Sequence, residues 1–316
     1  MDEDEQWLSE EENEDEENLS DPGSFTMALT SQGPPGEFRT RNLPGEHQRP
    51  HVSVFQAGPR KKPAFTVSCN AKAMIHGKLG GSSSKMATLL VYEFIFRSYR
   101  GARLKEADIL FEFKPQLGAT GGISVAKVRP DGVHRMEKTE QKEGNCIHAG
   151  VNGGFMQFIG LEAGVDNSIE KVAEHYTVIT GDRPQDTIWG TYYEARFSLR
   201  ENKSRKDGIP TKLTACILLE RDDDQDFVCV PTISVEPNFL TTVATLFSTR
   251  DPDDPVYFRV AEDPFDSLDL LKEEGGRDAK IDRLNLGATD FDALWDCTMY
   301  NDYHGAIKPS KPSKPE

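Results

Sequence analysis

The 316-residue chain has no apolar run near the roughly 20 residues of a membrane-spanning helix. Its start lacks the basic-then-apolar pattern of a secretory leader, so the expectation is a soluble, intracellular protein with no membrane span. Cysteine is sparse: Cys69, Cys146, Cys216, Cys229 and Cys297 are odd in number and contain no C-x-x-C pair. That argues against both a zinc site and a disulfide framework. Cys216 and Cys229 would approach one another only if their strands paired. There is no G-x-x-x-x-G-K-[ST], H-E-x-x-H or G-x-S-x-G. These missing signatures point away from an enzyme, with no catalytic residue and no resident cofactor expected.

Positive charge is missing from one stretch altogether. Residues 2–21 hold twelve carboxylates and neither Lys nor Arg, so they supply −12 of the net −16 and the remainder sums to −4. Like charges packed so closely keep a segment extended. A chain of this sign also lacks the positive surface that nucleic-acid binding needs, and none is expected. Trp7-Leu8 is the apolar exception inside the acidic run and forms a candidate docking pair. Ser9, followed by Glu10, Glu11 and Glu12, suits an acid-directed kinase, and phosphate there would add about −1.5 to −2 charge.

From residue 22 to residue 63 the chain is rich in Pro-Gly pairs and poor in large apolar groups, so 1–63 reads as a disordered arm, acidic first and then Pro/Gly-rich. Arg60-Lys61-Lys62 within it would serve as a nuclear-import patch. The cytoplasm is the expected location, with the nucleus as the alternative.

From 64 to 260 apolar residues recur at alternate positions. Ala107, Ile109, Phe111 and Phe113 alternate with mostly polar neighbours, and Ala195, Phe197 and Leu199 alternate with Arg196, Ser198 and Arg200. The run Ala87–Phe96 is apolar on both faces, which predicts cover on both sides. This period-two patterning predicts an all-β fold: an antiparallel sandwich of about nine strands with short polar connections. The segments 87–96 and 107–114 read as a hairpin, Pro130-Asp131-Gly132 as a turn, and 155–165 with 169–179 as a further pair. That last pair would suit a pore-forming hairpin only if apolar residues alternated along it. Glu162, Asp166, Glu170 and Glu174 interrupt the pattern.

Thr241–Ser248 is the best helical candidate, ended by the Pro-Asp segment after it. Residues 261–300 are acidic with isolated apolar anchors and are expected either to pack on the sandwich or to dock elsewhere. Residues 301–316 end in a Lys/Pro repeat expected to be disordered.

Ala87-Thr88-Leu89-Leu90-Val91-Tyr92-Glu93-Phe94, Glu106–Phe113, Lys206-Asp207-Gly208-Ile209-Pro210 with Leu218-Leu219-Glu220-Arg221, and Asp253-Asp254-Pro255-Val256-Tyr257-Phe258 carry a family resemblance. Over about residues 86–260 the chain resembles uncharacterised proteins of filamentous fungi. These motifs are structural, and the resemblance implies a fold and a fungal source with no established activity.

Calcium is the sharpest chemical idea. Asp222, Asp224 and Asp226 alternate in one inter-strand loop, and Asp251, Asp253 and Asp254 form a second cluster. Converging at one end of a sandwich, they would offer hard oxygen ligands. An EF-hand is excluded, because Phe227 stands where its Gly is needed and Ile233 where its closing Glu is needed.

The expectation for function is a non-enzymatic protein-interaction module whose partner and oligomeric state are open. A calcium- or small-ligand-binding sandwich is the alternative. An enzyme of unrecognised type, drawing on His148, His175 and Asp182, is the third reading.

Overall fold

The computed structural model describes residues 40–57, 64–81, 83–99, 101–116, 121–143, 171–188, 190–238, 252–272, 279–301 and 305–309. The expected helix 241–248 and strand 155–165 lie outside them, as do Ser9, Cys146, His148 and Asp251. The described residues form two antiparallel sheets, with strands numbered along the chain.

Sheet A runs β1 (His51–Ala57), β2 (Phe65–Lys78), β3 (Met86–Ser98), β9 (Lys212–Arg221), β13 (Asp296–Asn301), β14 (Gly305–Ile307). The two-residue β12 (Phe265–Asp266) also pairs with β2. The far edge of β9 is shared: β13 takes residues 212–214, and β5 (Ile123–Arg129) takes 216–221. Sheet B runs β11 (Val256–Phe258), β10 (Phe227–Pro237), β4 (Leu104–Pro115), β8 (Glu194–Arg200), β7 (Lys171–Asp182), β6 (Gly132–Glu143).

Alternation builds sheet B. On β8, Ala195, Phe197 and Leu199 are buried while Arg196 and Arg200 are exposed, and β10 buries every second residue along its length. The inner faces meet through aromatics. Tyr92 of β3 stacks on Phe111 of β4 at 4.7 Å and 10°, and Phe94 leans on the same ring at 6.0 Å. Each such buried ring contributes about 1.5–3 kcal/mol of hydrophobic stabilisation relative to exposure.

Sheet A differs because both its faces are covered. Leu89, Leu90, Val91 and Tyr92 are consecutive and all buried, which a two-layer sandwich would not allow. The third layer is formed by residues 265–272 and 279–295, laid across the outer face of sheet A as a strap that leads into β13. It joins β2 through β12 and buries Leu270, Ile281, Leu286, Phe291 and Trp295. Its described residues include a 3₁₀ turn (Leu286–Ala288) and a four-residue helix, α1 (Phe291–Leu294). Lys127 Nζ lies 4.5 Å above the Phe291 ring, and Arg129 Nε donates to Asp292 at 2.8 Å, fastening α1 over β5.

The strap approaches β2 so closely at Gly77 that no side chain fits. Lys78 N–H donates to Arg283 O at 2.8 Å, Arg283 Nε donates to His76 O at 3.1 Å, and a Cβ on Gly77 would meet the Arg283 carbonyl. Gly77→Ala should therefore cost about 1–3 kcal/mol in urea unfolding by lifting the strap. A loss below about 0.5 kcal/mol would mean that the strap shifts freely.

Several expectations change here. Segments 87–96 and 107–114 are not a hairpin. β3 pairs with β2 and β9, and β4 pairs with β8 and β10, because the connection through Gly101 (φ +75°) crosses from one sheet to the other. Cys216 and Cys229 likewise lie in different sheets and do not pair. The four described cysteines are buried. Burial raises the Cys69 and Cys229 thiols well above their ordinary values, so both behave as small core residues. β7 pairs with β6 and, over 178–182, with β8, while the partner expected for it, 155–165, lies outside the described residues.

Residues 40–57, read as part of a disordered arm, lie against the sandwich. β1 pairs with β2, and Thr40 and Asn42 donate backbone N–H groups to Asp253 Oδ1 (2.8 Å) and Asp254 Oδ2 (3.1 Å). At the other end, β13 and β14 carry ordered pairing past residue 300, and Lys308 donates to Asp296 at 2.7 Å.

Candidate functional site

Between the strap and the outer face of sheet A runs a groove of about 450 Å³. Its floor comes from three strands. Lys72 is the extra residue of a β-bulge between Ala71 and Ala73, which turns its side chain toward Glu93 on β3, with Lys212 and Thr214 from β9 alongside. The strap supplies the apolar wall, Leu268, Leu270, Ile281 and Leu294, together with Lys280 and Thr289. The bulge also anchors the strap, since Ser267 N–H and Oγ both donate to Lys72 O at 2.9 Å.

Glu93 is the charged centre of the floor, with a side chain 14% exposed. It accepts from Lys212 Nζ at 2.6 Å and faces Lys72 Nζ at 3.5 Å. Burial pushes its carboxyl up, but the hydrogen bond and charge of Lys212, then those of Lys72, outweigh this and hold it below the ordinary carboxylate range. Lys280 Nζ reaches the Leu268 carbonyl at 3.5 Å, and among the described residues it acts on Asp269 by charge without closing an ion pair. Thr289 Oγ1 is buried with no hydrogen-bond partner among them. A mostly apolar concavity with a lysine rim, one unpaired cation and one orphan hydroxyl suits an amphipathic anion.

The groove had no linear signature. Its one sequence signal is Glu93, the single charged side chain in the apolar run 87–96.

The aspartates proposed for calcium are placed apart. Asp222 accepts from Gly122 N–H at 3.0 Å and pairs with Lys85. Asp224 lies 3.8 Å from Arg221, and Asp226 Oδ1 accepts from Val260 N–H at 3.0 Å. Asp253 and Asp254 hold the 40–42 segment at the opposite end of β11. The two clusters therefore do not converge. Among the described residues no group of three or more His, Cys, Asp or Glu side chains is disposed to hold a metal ion. His175 and Asp182, seven residues apart on β7, alternate onto opposite faces of sheet B and form no common site.

The chain matches no protein-family model and no curated protein. Among solved structures, the membrane-inserted form of the Clostridium perfringens NetB toxin is similar over 68% of this chain and 92% of that chain. The identity is 10% and the TM-score 0.26, a likeness that carries no argument about this protein. No helix among the described residues is long and apolar enough to cross a membrane.

Two other polar features bear on function. The outer face of sheet B has a shallow cavity of about 360 Å³ lined by Asp108, Thr180, Asp182, Arg196, Thr232 and Ser234. The Ser198 hydroxyl is buried beside them with no hydrogen-bond partner among the described residues. Sequence alternation had marked this face as wet, but not as concave. At the β9 end of sheet A, a buried chain links Arg221, Thr88, His76 and Gln48. Arg221 Nε donates to Thr88 Oγ1 (3.1 Å), Thr88 Oγ1 lies 2.9 Å from His76 Nδ1, and His76 Nε2 lies 3.0 Å from Gln48 Oε1. This network is sealed under Phe227 and Phe258, a structural rather than a ligand-facing position.

Proposed function

We propose that the protein is a non-enzymatic, intracellular interaction module that binds a protein partner in the groove beneath the strap. The observation that supports this most directly is the lysine-rimmed, mostly apolar groove in which, among the described residues, Lys280 carries no ion pair and Thr289 Oγ1 no hydrogen bond. Its chemistry fits an acidic segment with apolar anchors: carboxylates meet the lysines while aliphatic or aromatic side chains meet Leu268, Leu270 and Leu294.

Lys280→Glu in the full chain tests the reading, because Lys280 is exposed and its loss should change stability by no more than about 0.5 kcal/mol. Affinity capture from the native lysate should retain a partner on the wild-type chain and lose at least about tenfold of it on the variant. Equal retention by both would move the function off the groove, and no partner above background would sink the reading.

The orphan Ser198 hydroxyl in the sheet B cavity favours a small polar ligand as the second reading.

A further inference from the structure

Resting on that reading, we infer that the resident occupant of the groove is the chain's own acidic segment, residues 2–21. Trp7-Leu8 would seat against the apolar wall and the flanking carboxylates would face Lys72, Lys212 and Lys280.

Charge selects this segment. The groove offers three lysines against two carboxylates, Glu93 and Asp290, and Glu93 is already held by Lys212 and Lys72. The twelve carboxylates of 2–21 repel one another with no Lys or Arg among them. Bringing part of that run beside Lys280, which closes no ion pair among the described residues, relieves repulsion in the run and adds a partner for the ammonium. The apolar requirement is met at the same place. Trp7 and Leu8 are the one aromatic-aliphatic pair inside the acidic run, and a Trp side chain buries roughly 150–250 Å² when it finds a pocket. A groove of about 450 Å³ falls in the ordinary size range of ligand pockets.

The tether has the right length. Thr40 is fixed, with its N–H on Asp253 and its hydroxyl accepting from Val54 N–H of β1. β1 neighbours β2, and Val54 faces Ser68, four residues along β2 from Lys72. Thr40 therefore stands on the order of 15–20 Å from the groove floor. Trp7 precedes Thr40 by 33 residues (40 − 7). At no more than about 3.3–3.6 Å per residue, a tether of that length can cover the distance several times over. Attachment makes the encounter intramolecular and so raises the effective concentration above that of a free peptide. A weak contact is then occupied in the resting chain yet yields to a partner of the same chemistry and higher affinity. Its electrostatic part weakens as salt rises.

Zero-length carbodiimide coupling of the full chain at low salt, mapped by peptide mass spectrometry, tests this. Each amide formed between a carboxylate of 2–21 and a lysine records a contact. Links should concentrate on Lys72, Lys212 and Lys280, about tenfold above the exposed reference lysines Lys114 and Lys203, and fall to the reference level in the Trp7→Ala/Leu8→Ala double variant. Links spread evenly over all exposed lysines would overturn the inference. So would a concentration that survives the double substitution, since it would reflect charge without seating. Capture of a partner by the wild-type chain, and its loss in Lys280→Glu, reports on the interaction reading separately. That reading stands even if the tail proves not to occupy the groove.

Discussion

Trp295→Ala should cost about 3–5 kcal/mol, the largest loss expected of any single truncation in this protein. Trp295 is the bulkiest of the fully buried side chains among the described residues, 2% exposed, at the point where α1 hands the strap to β13. Its ring lies 4.8 Å from the His134 ring of β6, so one side chain ties the strap of sheet A to the edge strand of sheet B. Truncation leaves a cavity that neither the β9–β13 ladder nor α1 can close, because both are pinned by backbone pairing: Cys297 faces Leu213, and Trp295 N–H donates to Phe291 O at 3.3 Å. A domain with the usual 5–15 kcal/mol of stability would lose a third or more of it.

Urea unfolding of the full chain provides the measurement. One transition with a lowered midpoint and an unchanged slope means that the strap belongs to the cooperative unit. A separate early transition, or a loss under about 1 kcal/mol, would mean that it is an appendage.

That distinction explains what the sequence revealed and what it hid. Period-two alternation reports which face of a strand is buried, and it placed Ala195, Phe197 and Leu199 inside and Arg196 and Arg200 outside, as they are found. It says nothing about which strand is the neighbour. The connection after β3 is short enough for a hairpin, yet it turns from one sheet to the other, and local pattern cannot separate the two outcomes. β1 was hidden for a related reason. An edge strand with one partner, set in Pro- and Gly-rich surroundings, shows little of the periodicity that a central strand shows.

The strap was legible only as a row of isolated anchors, because an irregular segment covers a sheet through scattered side chains rather than a repeating face. The doubly apolar run 87–96 demanded a cover, and residues 265–272 and 279–295 provide it. The groove was the least legible feature of all. Lys72, Glu93, Lys212, Lys280 and Thr289 come from three strands and the strap, and a bulge at Lys72 sets their register. A fragment trimmed to residues 63–262 would therefore lose β1 and the strap together, exposing both an edge and a face of sheet A.

Acid should weaken the fold through one histidine before the carboxylates begin to titrate. His76 sits on β2, 2% exposed, with the rings of Phe227 and Phe258 edge-on at 6.1 and 6.3 Å. Burial, then the positive charges of Arg221 and Arg283, lower its pKa from 6.5 to about 3. The hydrogen bonds fit the neutral ring: Thr88 Oγ1 accepts from Arg221 Nε and gives its own proton to His76 Nδ1, while Nε2–H donates to Gln48 Oε1. A proton on Nδ1 would place a second cation beside a buried guanidinium.

Between pH 6.5 and 3 the unfolded chain binds a proton that the native protein refuses, so stability rises with pH across that window. The contribution is fully present above 6.5 and declines by ~1.4 kcal/mol per unit as the solution is acidified, reaching about 2–3 kcal/mol by pH 4.5. Below that, groups held low by their partners, such as Glu93 beside Lys212, add their own losses. The interval from 6.5 to about 4.5 therefore isolates His76. His76→Gln keeps hydrogen-bonding capacity and removes the titration. Its unfolding free energy should run nearly flat over the interval in which the wild type falls, whatever its absolute value. Parallel slopes in the two proteins would place the acid sensitivity on another group and leave the His76 network as packing alone.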